Sequence, residues 1–438
     1  QSLYTTAASQ AFATGLAPTP RAMSQSVVDT RVWAIGDLED PGALERMLQR
    51  VSRPPDVGCT PSASCSAQRE LILLHANHRR LRLLVNLAAQ LRALRLDHTL
   101  ALGFGASLCD ALRRAAQPLA CAHSSYMQRG ALAEAAAQLP SKHIAWLQRW
   151  YYLRRLLEAN VRVVALDTDM AITADPFPLL RDPARLGAYQ LVTTYDFKGG
   201  FANTNIGFVC LQNATRGGPV HALFGEFEAR VARSLAVTPP REQTARFVTQ
   251  FIWDQNLFNK VLLSALAGHA AYLPDSANAA WTAANRAKLR ARNHWLQVDP
   301  PLAPPGWLGS SGKYFPRSPR LYGRKPWAPT RYGALWAALP TAPPVAAAGE
   351  ASCRSGGAPA YCGGGAEHVL LAPAWLVAME QGLGHSLKAE DYGARPCPAV
   401  IVHFTCTTQT EPARSWPLRL FGYWHAAAAA AAAEAGGE

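Results

Sequence analysis

The segment that most constrains this chain is Val161-Arg162-Val163-Val164-Ala165-Leu166-Asp167-Thr168-Asp169. Its first six residues predict an apolar strand. That strand ends directly on two carboxylates separated by a single residue. Ligands of open α/β sheets bind outside the C-terminal ends of the strands. A hard divalent cation takes carboxylate oxygens and needs only one or two of them when it also bridges phosphates. Fold class and chemistry therefore start from the same few residues.

The flanking sequence agrees with a sheet of this kind. Leu71-Ile72-Leu73-Leu74 reads as a buried strand running into a loop at His75-Ala76-Asn77. Between His78 and Leu94, apolar residues at 81, 84, 85, 88 and 91 have helical spacing. Asp97 to Phe104 reads as a second strand, so strand, helix and strand form a βαβ unit and predict a mostly parallel sheet. Further helices are expected over 141–160 and 243–266, and further strands over 191–195 and 206–211. The fold class is α/β. At 438 residues the chain suits one large α/β domain with additions, or two unequal domains. We divide it into a stem or wrapping extension (1–69), the main domain (70–335), a low-complexity Ala/Pro/Gly insertion (336–366), a C-terminal part completing the main domain (367–425) and an Ala-rich tail (426–438).

The formal charge is +13, which attracts phosphates, nucleic acid, acidic glycans or anionic membrane alike. The sequence has no arginine-aromatic RNA motif and no zinc-finger spacing, which points away from nucleic acid. Ten Lys/Arg against the single acid Asp299 between Asn285 and Gly333 make a basic loop, either simply solvated or gripping a diphosphate or acidic acceptor. Nine cysteines lie dispersed without a CxxC. The pairs Cys59/Cys65, Cys109/Cys121, Cys353/Cys362 and Cys397/Cys406 read as local disulfides of an oxidising compartment, with Cys210 left free. The alternative is that all are buried small hydrophobes. The sequon Asn213-Ala214-Thr215 fits the secretory pathway. No run approaches the ~18 apolar residues of a membrane helix. Because the chain opens at Gln1, any membrane attachment is expected through an anchor absent from it.

An Asp-x-Asp pair after a strand has other readings. The acids can be surface-turn residues, or the nucleophile and acid of a haloacid-dehalogenase-type phosphatase, where Thr or Val usually stands at the position of Ala171. The following Ala174-Asp175-Pro176-Phe177 and later motifs narrow the choice. The stretch 149–180, with Asn205-Ile206-Gly207-Phe208, Asp254-Gln255-x-x-Phe258-Asn259 and Val402-His403-Phe404, resembles glycosyltransferase family seventy-seven. That family comprises plant and green-algal arabinosyl-, xylosyl- and galactosyltransferases of cell-wall glycans and glycoproteins.

The resemblance implies a GT-A fold, a Rossmann-like mixed, mostly parallel sheet flanked by helices. It implies a UDP-sugar donor, a glycan or glycoprotein acceptor, Mn²⁺ (or Mg²⁺), retention of configuration, and a Golgi lumenal type II membrane protein. Carried over residue by residue, Asp167 and Asp169 match the metal pair and His403 a third metal ligand. Asp167 also matches a donor contact, as do His75, Ala76, Asn77, Arg149, Asn205 and Gly207. The Asn-x-Gly turn reads Asn-Ile-Gly here and follows Asn203-Thr204, so the match can shift by two. Asp254 and Gln255 match a catalytic pair beneath the donor sugar ring, Asp254 as nucleophile or cation stabiliser and Gln255 as a positioning group. Double displacement and front-face attack both remain open. So does a glycan-binding scaffold of the same fold.

Overall fold

The computed structural model describes residues 34–58, 66–129, 141–183, 186–195, 204–237, 254–267, 335–338, 367–372, 377–381 and 400–405, with Ala133, Ala137 and Leu418 individually. Among them, alternation along short apolar strands builds one large sheet with a core on each face. Strand β2 (Arg69–Ala76) sends Leu71 and Leu73 to one face and Ile72 and Leu74 to the other. Strand β5 (Val161–Leu166) does the same, with Val163 and Ala165 opposite Val164 and Leu166. Both faces are dry, so these strands read as continuous apolar runs rather than as half-buried alternation.

The remaining strands are β1 (Ala34–Asp37), β3 (Thr99–Gly103), β4 (Ala120–His123), β6 (Met170–Ile172), β7 (Leu191–Tyr195), β8 (Thr204–Leu211), β9 (Leu335–Ala338), β10 (Glu367–Ala372), β11 (Val377–Gln381) and β12 (Ile401–Thr405). The large sheet runs β1-β4-β3-β2-β5-β8-β7-β10-β9. Every neighbouring pair is parallel except those of β8, which is antiparallel to β5 and β7. The mostly parallel α/β sheet expected from the sequence is therefore present. A small second sheet, β11-β12-β6, pairs β12 antiparallel to β6.

Helices cover both faces. On one lie α4 (Ser141–Glu158), α6 (Pro219–Val237) and α7 (Asp254–Ala267). On the other lie α2 (Leu81–Ala93), α3 (Ala106–Arg114) and the short α5 (Phe177–Arg181). The expected helix over 243–266 is seen from Asp254; residues 243–253 lie outside the described residues.

Of the expected stem or wrapping extension, residues 34–58 and 66–69 are described. From Ala34 it adds β1 at the sheet edge, and α1 (Ala43–Val51) buries Met47 and Leu48 in the core. Asp37 accepts hydrogen bonds from Ser125 N (3.0 Å) and from Arg129 Nη2 (2.9 Å), which fastens β1 to the loop after β4. Burial would raise the Asp37 carboxyl, but the Ser125 hydroxyl that donates to it, the backbone N–H groups of Glu39 and Ser125 and the charge of Arg129 outweigh burial and hold it below the usual carboxylate range.

Cys109 and Cys121 form the expected disulfide and tie α3 to β4, while Cys210 is a free, buried thiol that burial pushes up to about 12. Cys59, Cys65, Cys353, Cys362, Cys397 and Cys406 lie outside the described residues, as does the basic loop 285–333. Among the described residues no helix is long and apolar enough to cross a membrane.

Candidate active site

Asp167 leaves the C-terminal end of β5, and the turn Asp167-Thr168-Asp169 passes straight into β6. β6 has only one partner strand among those described, β12, and their register sets His403 opposite Met170. That pairing delivers His403 to the aspartates from the far end of the chain. The Nε2 of His403 stands 3.4 Å from Asp169 Oδ1. One ligand atom from each of Asp167, Asp169 and His403 lies within 4.8 Å of the others. An ion with bonds of ~2.1 Å spans such a set after shifts of a few tenths of an ångström.

The surroundings fit a cation as well. His403 Nδ1 is buried without a hydrogen-bond partner, an arrangement costly to keep unless the ring is held for another purpose. Two carboxylates and one imidazole form a donor set suited to Mn²⁺ or Mg²⁺. Asp169 and His403 are buried, whereas the Asp167 side chain is 39% exposed and marks the open side of the cluster.

Behind the cluster, α4 supplies Arg149 and Trp150. Arg149 is buried and donates through Nη1 to Asp167 Oδ1 (2.7 Å) and through Nη2 to Asp254 Oδ2 (3.0 Å). It thus braces a metal-ligand candidate. Trp150 Nε1 donates to the same Asp254 oxygen at 3.1 Å. Its ring stacks on Phe258 at 4.3 Å, so α4 and α7 are joined by an apolar face and a polar edge together.

Asp254 is placed against α4. It begins α7, where a carboxylate is favoured by the helix dipole. The residue is 2% exposed, however, and Oδ2 already accepts two hydrogen bonds. Burial pushes its carboxyl above the usual range, against the pull of Arg149 and Trp150. A nucleophile needs open approach to an anomeric carbon, and this carboxylate faces α4. Gln255 is also buried, and its Oε1 accepts from Ile206 N at 3.4 Å. Asn259 completes the set: its Oδ1 accepts from Thr204 N (2.7 Å) and its Nδ2 donates to Thr204 O (3.1 Å). The motif that begins at Asp254 therefore docks α7 onto α4 and β8, a role its spacing alone does not reveal.

Asn205 and Gly207 lie on β8 beside the cluster. Asn205 is buried, and its Oδ1 accepts from Gly207 N at 2.8 Å, folding back on its own strand. Gly207 faces the His403 ring. Its carbonyl accepts from Asp167 N at 2.8 Å, which fixes the first residue of the acidic turn. The shifted alternative rests in part on Asn203, outside the described residues; Thr204 is bound to Asn259.

At the end of β2, buried Ala76 separates two residues with unsatisfied polar atoms, His75 Nε2 and Asn77 Oδ1. Desolvation and the charge of Arg149 press His75 down to about 3, opposed by Gln148. His98, packed 4.8 Å from the Phe177 ring, is held at about 4, chiefly by burial. Both folded-state values lie below that of a free imidazole. Their stabilising contribution is thus present above pH ~6.5 and lost as the pH falls towards the folded values. Urea unfolding at pH 7.5 and pH 5 should differ by roughly 2 kcal/mol for each of the two histidines. His98→Gln should remove its share of that difference; an unchanged slope would show that His98 does not resist protonation.

No protein-family model and no curated protein matches this chain. Among solved structures it is similar to the galactosyltransferase LgtC in complex with donor and acceptor sugar analogs. The identity is 16% over 45% of this chain and 70% of that one, with a TM-score of 0.26. It is likewise similar to an active-site mutant of LgtC, with 14% identity over 45% of this chain and 69% of that one and a TM-score of 0.27. At these values the likeness carries no argument about activity, and the site stands on its own residues.

Proposed function

We propose that this chain is a metal-dependent, retaining glycosyltransferase of GT-A type that moves a sugar from a UDP-sugar to a glycan or glycoprotein acceptor. The observation that carries the reading is the convergence of Asp167, Asp169 and His403 at the C-terminal edge of a mostly parallel sheet. Arabinose, xylose and galactose are the donor sugars that the sequence resemblance suggests, and a cell-wall acceptor in the Golgi lumen is the corresponding setting. The disulfide Cys109–Cys121 supports an oxidising compartment.

Asp167, Asp169 and His403 would hold Mn²⁺ or Mg²⁺, which when bound supplies Lewis-acid neutralisation of a leaving diphosphate. The protein's own residues do the rest. Arg149 aims Asp167, because its guanidinium is fixed between two carboxylates. His75 stays neutral and, with Asn77, presents polar atoms beside the strand end where a nucleoside would lie. Burial of Asp254 against Arg149 and Trp150 favours front-face attack over a covalent intermediate on this carboxylate. In that route the acceptor hydroxyl enters on the face the diphosphate leaves, and its proton passes to the departing phosphate oxygen.

Release of UDP from UDP-arabinose, UDP-xylose and UDP-galactose, with Mn²⁺ and with EDTA, tests the proposal. One donor should release UDP, and both chelation and Asp169→Asn should abolish that release. Binding of UDP with Mn²⁺ but no turnover would make the acceptor essential. Failure to bind UDP at all would end the transferase reading in favour of a glycan-binding scaffold.

A further inference from the structure

We propose that Gly207 is the positioning residue of this centre, its missing Cβ forming the slot that sets where the His403 ring stands relative to Asp167 and Asp169. The inference rests on the metal-site reading above. A Cβ built at Gly207 would lie 2.2 Å from His403 Cε1, 2.8 Å from Nδ1 and 2.9 Å from Nε2. Contacts that short are not tolerated, and every one is to the same rigid ring.

The ring has little freedom to give way. Its backbone is pinned by the register of β12 on β6, with Ile401, Val402 and His403 opposite Ile172, Ala171 and Met170. Its side chain is buried. Conformation does not explain the glycine, because Gly207 is not among the positive-φ glycines of the described residues, which are Gly36, Gly42, Gly58 and Gly217. Space does. Gly187 and Gly218 also have crowded missing Cβ positions, but theirs face backbone and Glu367, as in ordinary close packing.

Gly207 touches the other half of the ligand set too. Its carbonyl holds Asp167 N at 2.8 Å, and its own N–H donates to Asn205 Oδ1 at 2.8 Å. One residue of β8 therefore fixes the start of the acidic turn and seats the imidazole. A methyl group at 207 has room only if the ring moves, which shifts Nε2 from its place 3.4 Å from Asp169.

The test is Mn²⁺ binding to the whole chain, followed by the paramagnetic resonance of the free ion, with and without UDP. It compares the unmodified protein with Gly207→Ala, His403→Ala and the double variant. Gly207→Ala is expected to weaken Mn²⁺ binding 10- to 100-fold, the range for loss of a ligand-orienting contact. In the His403→Ala background the same substitution should cost nothing further, because the ring it would strike is gone. If Gly207→Ala alone does not fold, thermal unfolding of the double variant carries the test. Stability equal to that of His403→Ala places the clash on the ring, and failure to fold places it elsewhere and overturns the inference. Wild-type binding by Gly207→Ala, with loss in His403→Ala, would overturn the role of Gly207 and leave the metal site standing. No binding of Mn²⁺ by the unmodified protein would remove the metal-site reading itself.

Discussion

Arg149→Met is expected to lower stability by about 3–5 kcal/mol and to weaken Mn²⁺ binding or activity 10- to 100-fold. Methionine keeps much of the volume of the arginine stem, so packing changes little and the charge is what is lost. Asp254 would then be buried without its cation, left with Trp150 Nε1 as the donor to its Oδ2. Asp167 would lose the brace on Oδ1. The sign of the pH dependence follows from Asp254. Its carboxyl already titrates above the unfolded value, so protonation favours the folded state, and that benefit is lost as the pH rises. Removing Arg149 strengthens this trend, and the variant should recover part of its stability in mild acid. Asp254→Asn on top of Arg149→Met should recover stability at neutral pH without recovering metal affinity. Urea unfolding across pH, beside Mn²⁺ titration, separates the two effects. Equal stability of Arg149→Met and the unmodified protein would mean that the buried pair contributes little.

Glu70→Ala should produce a loss of similar size with a different consequence. Glu70 is fully buried at the N-terminal end of β2. It accepts from Arg162 Nη1 (2.8 Å) and from Arg181 Nε (2.7 Å) and Nη2 (2.5 Å), and it pairs with Arg53 at 3.7 Å. Burial alone would raise its carboxyl, but Arg181 and Arg162 outweigh that and hold it below the usual range. Removal of the carboxylate takes from Arg162 and Arg181 the buried anion that both bond, a loss of about 3–5 kcal/mol. The edge that carries the candidate site lies five residues further along the same strand, roughly 16 Å at 3.3 Å per residue. Folded Glu70→Ala should therefore bind Mn²⁺ as the unmodified protein does. Impaired binding in the folded fraction would show that the two ends of the sheet are coupled.

What could be read in the sequence follows from how local its cause is. β5 and the core of β2 are apolar runs whose neighbours enforce them, and both were legible to within two residues. The Cys109–Cys121 pairing was legible because a short helix-to-strand connection brings the two together. β6 was not legible: three residues carry no period, and it exists because β12 pairs with it. β1 was hidden for a related reason, since its place comes from pairing with β4 and from the Asp37 contacts to Ser125 and Arg129. Arg149 and Asp254 could be named as site residues, but their bond to each other joins positions 105 apart. Glu70, an acid next to an apolar run, gave no sign of the two arginines that neutralise it.

The pairing of β12 with β6 has a consequence for biosynthesis. A ribosome completes Asp167 and Asp169 long before it makes His403, so the large sheet can begin to assemble while the cation site still lacks a ligand. The last ligand arrives only when Ile401–Thr405 has emerged and docked, after a long loop has closed. If the proposed cation binds there, its loading would report that the chain has been made and docked through β12, and a polypeptide interrupted before β12 would lack one of the three candidate ligands.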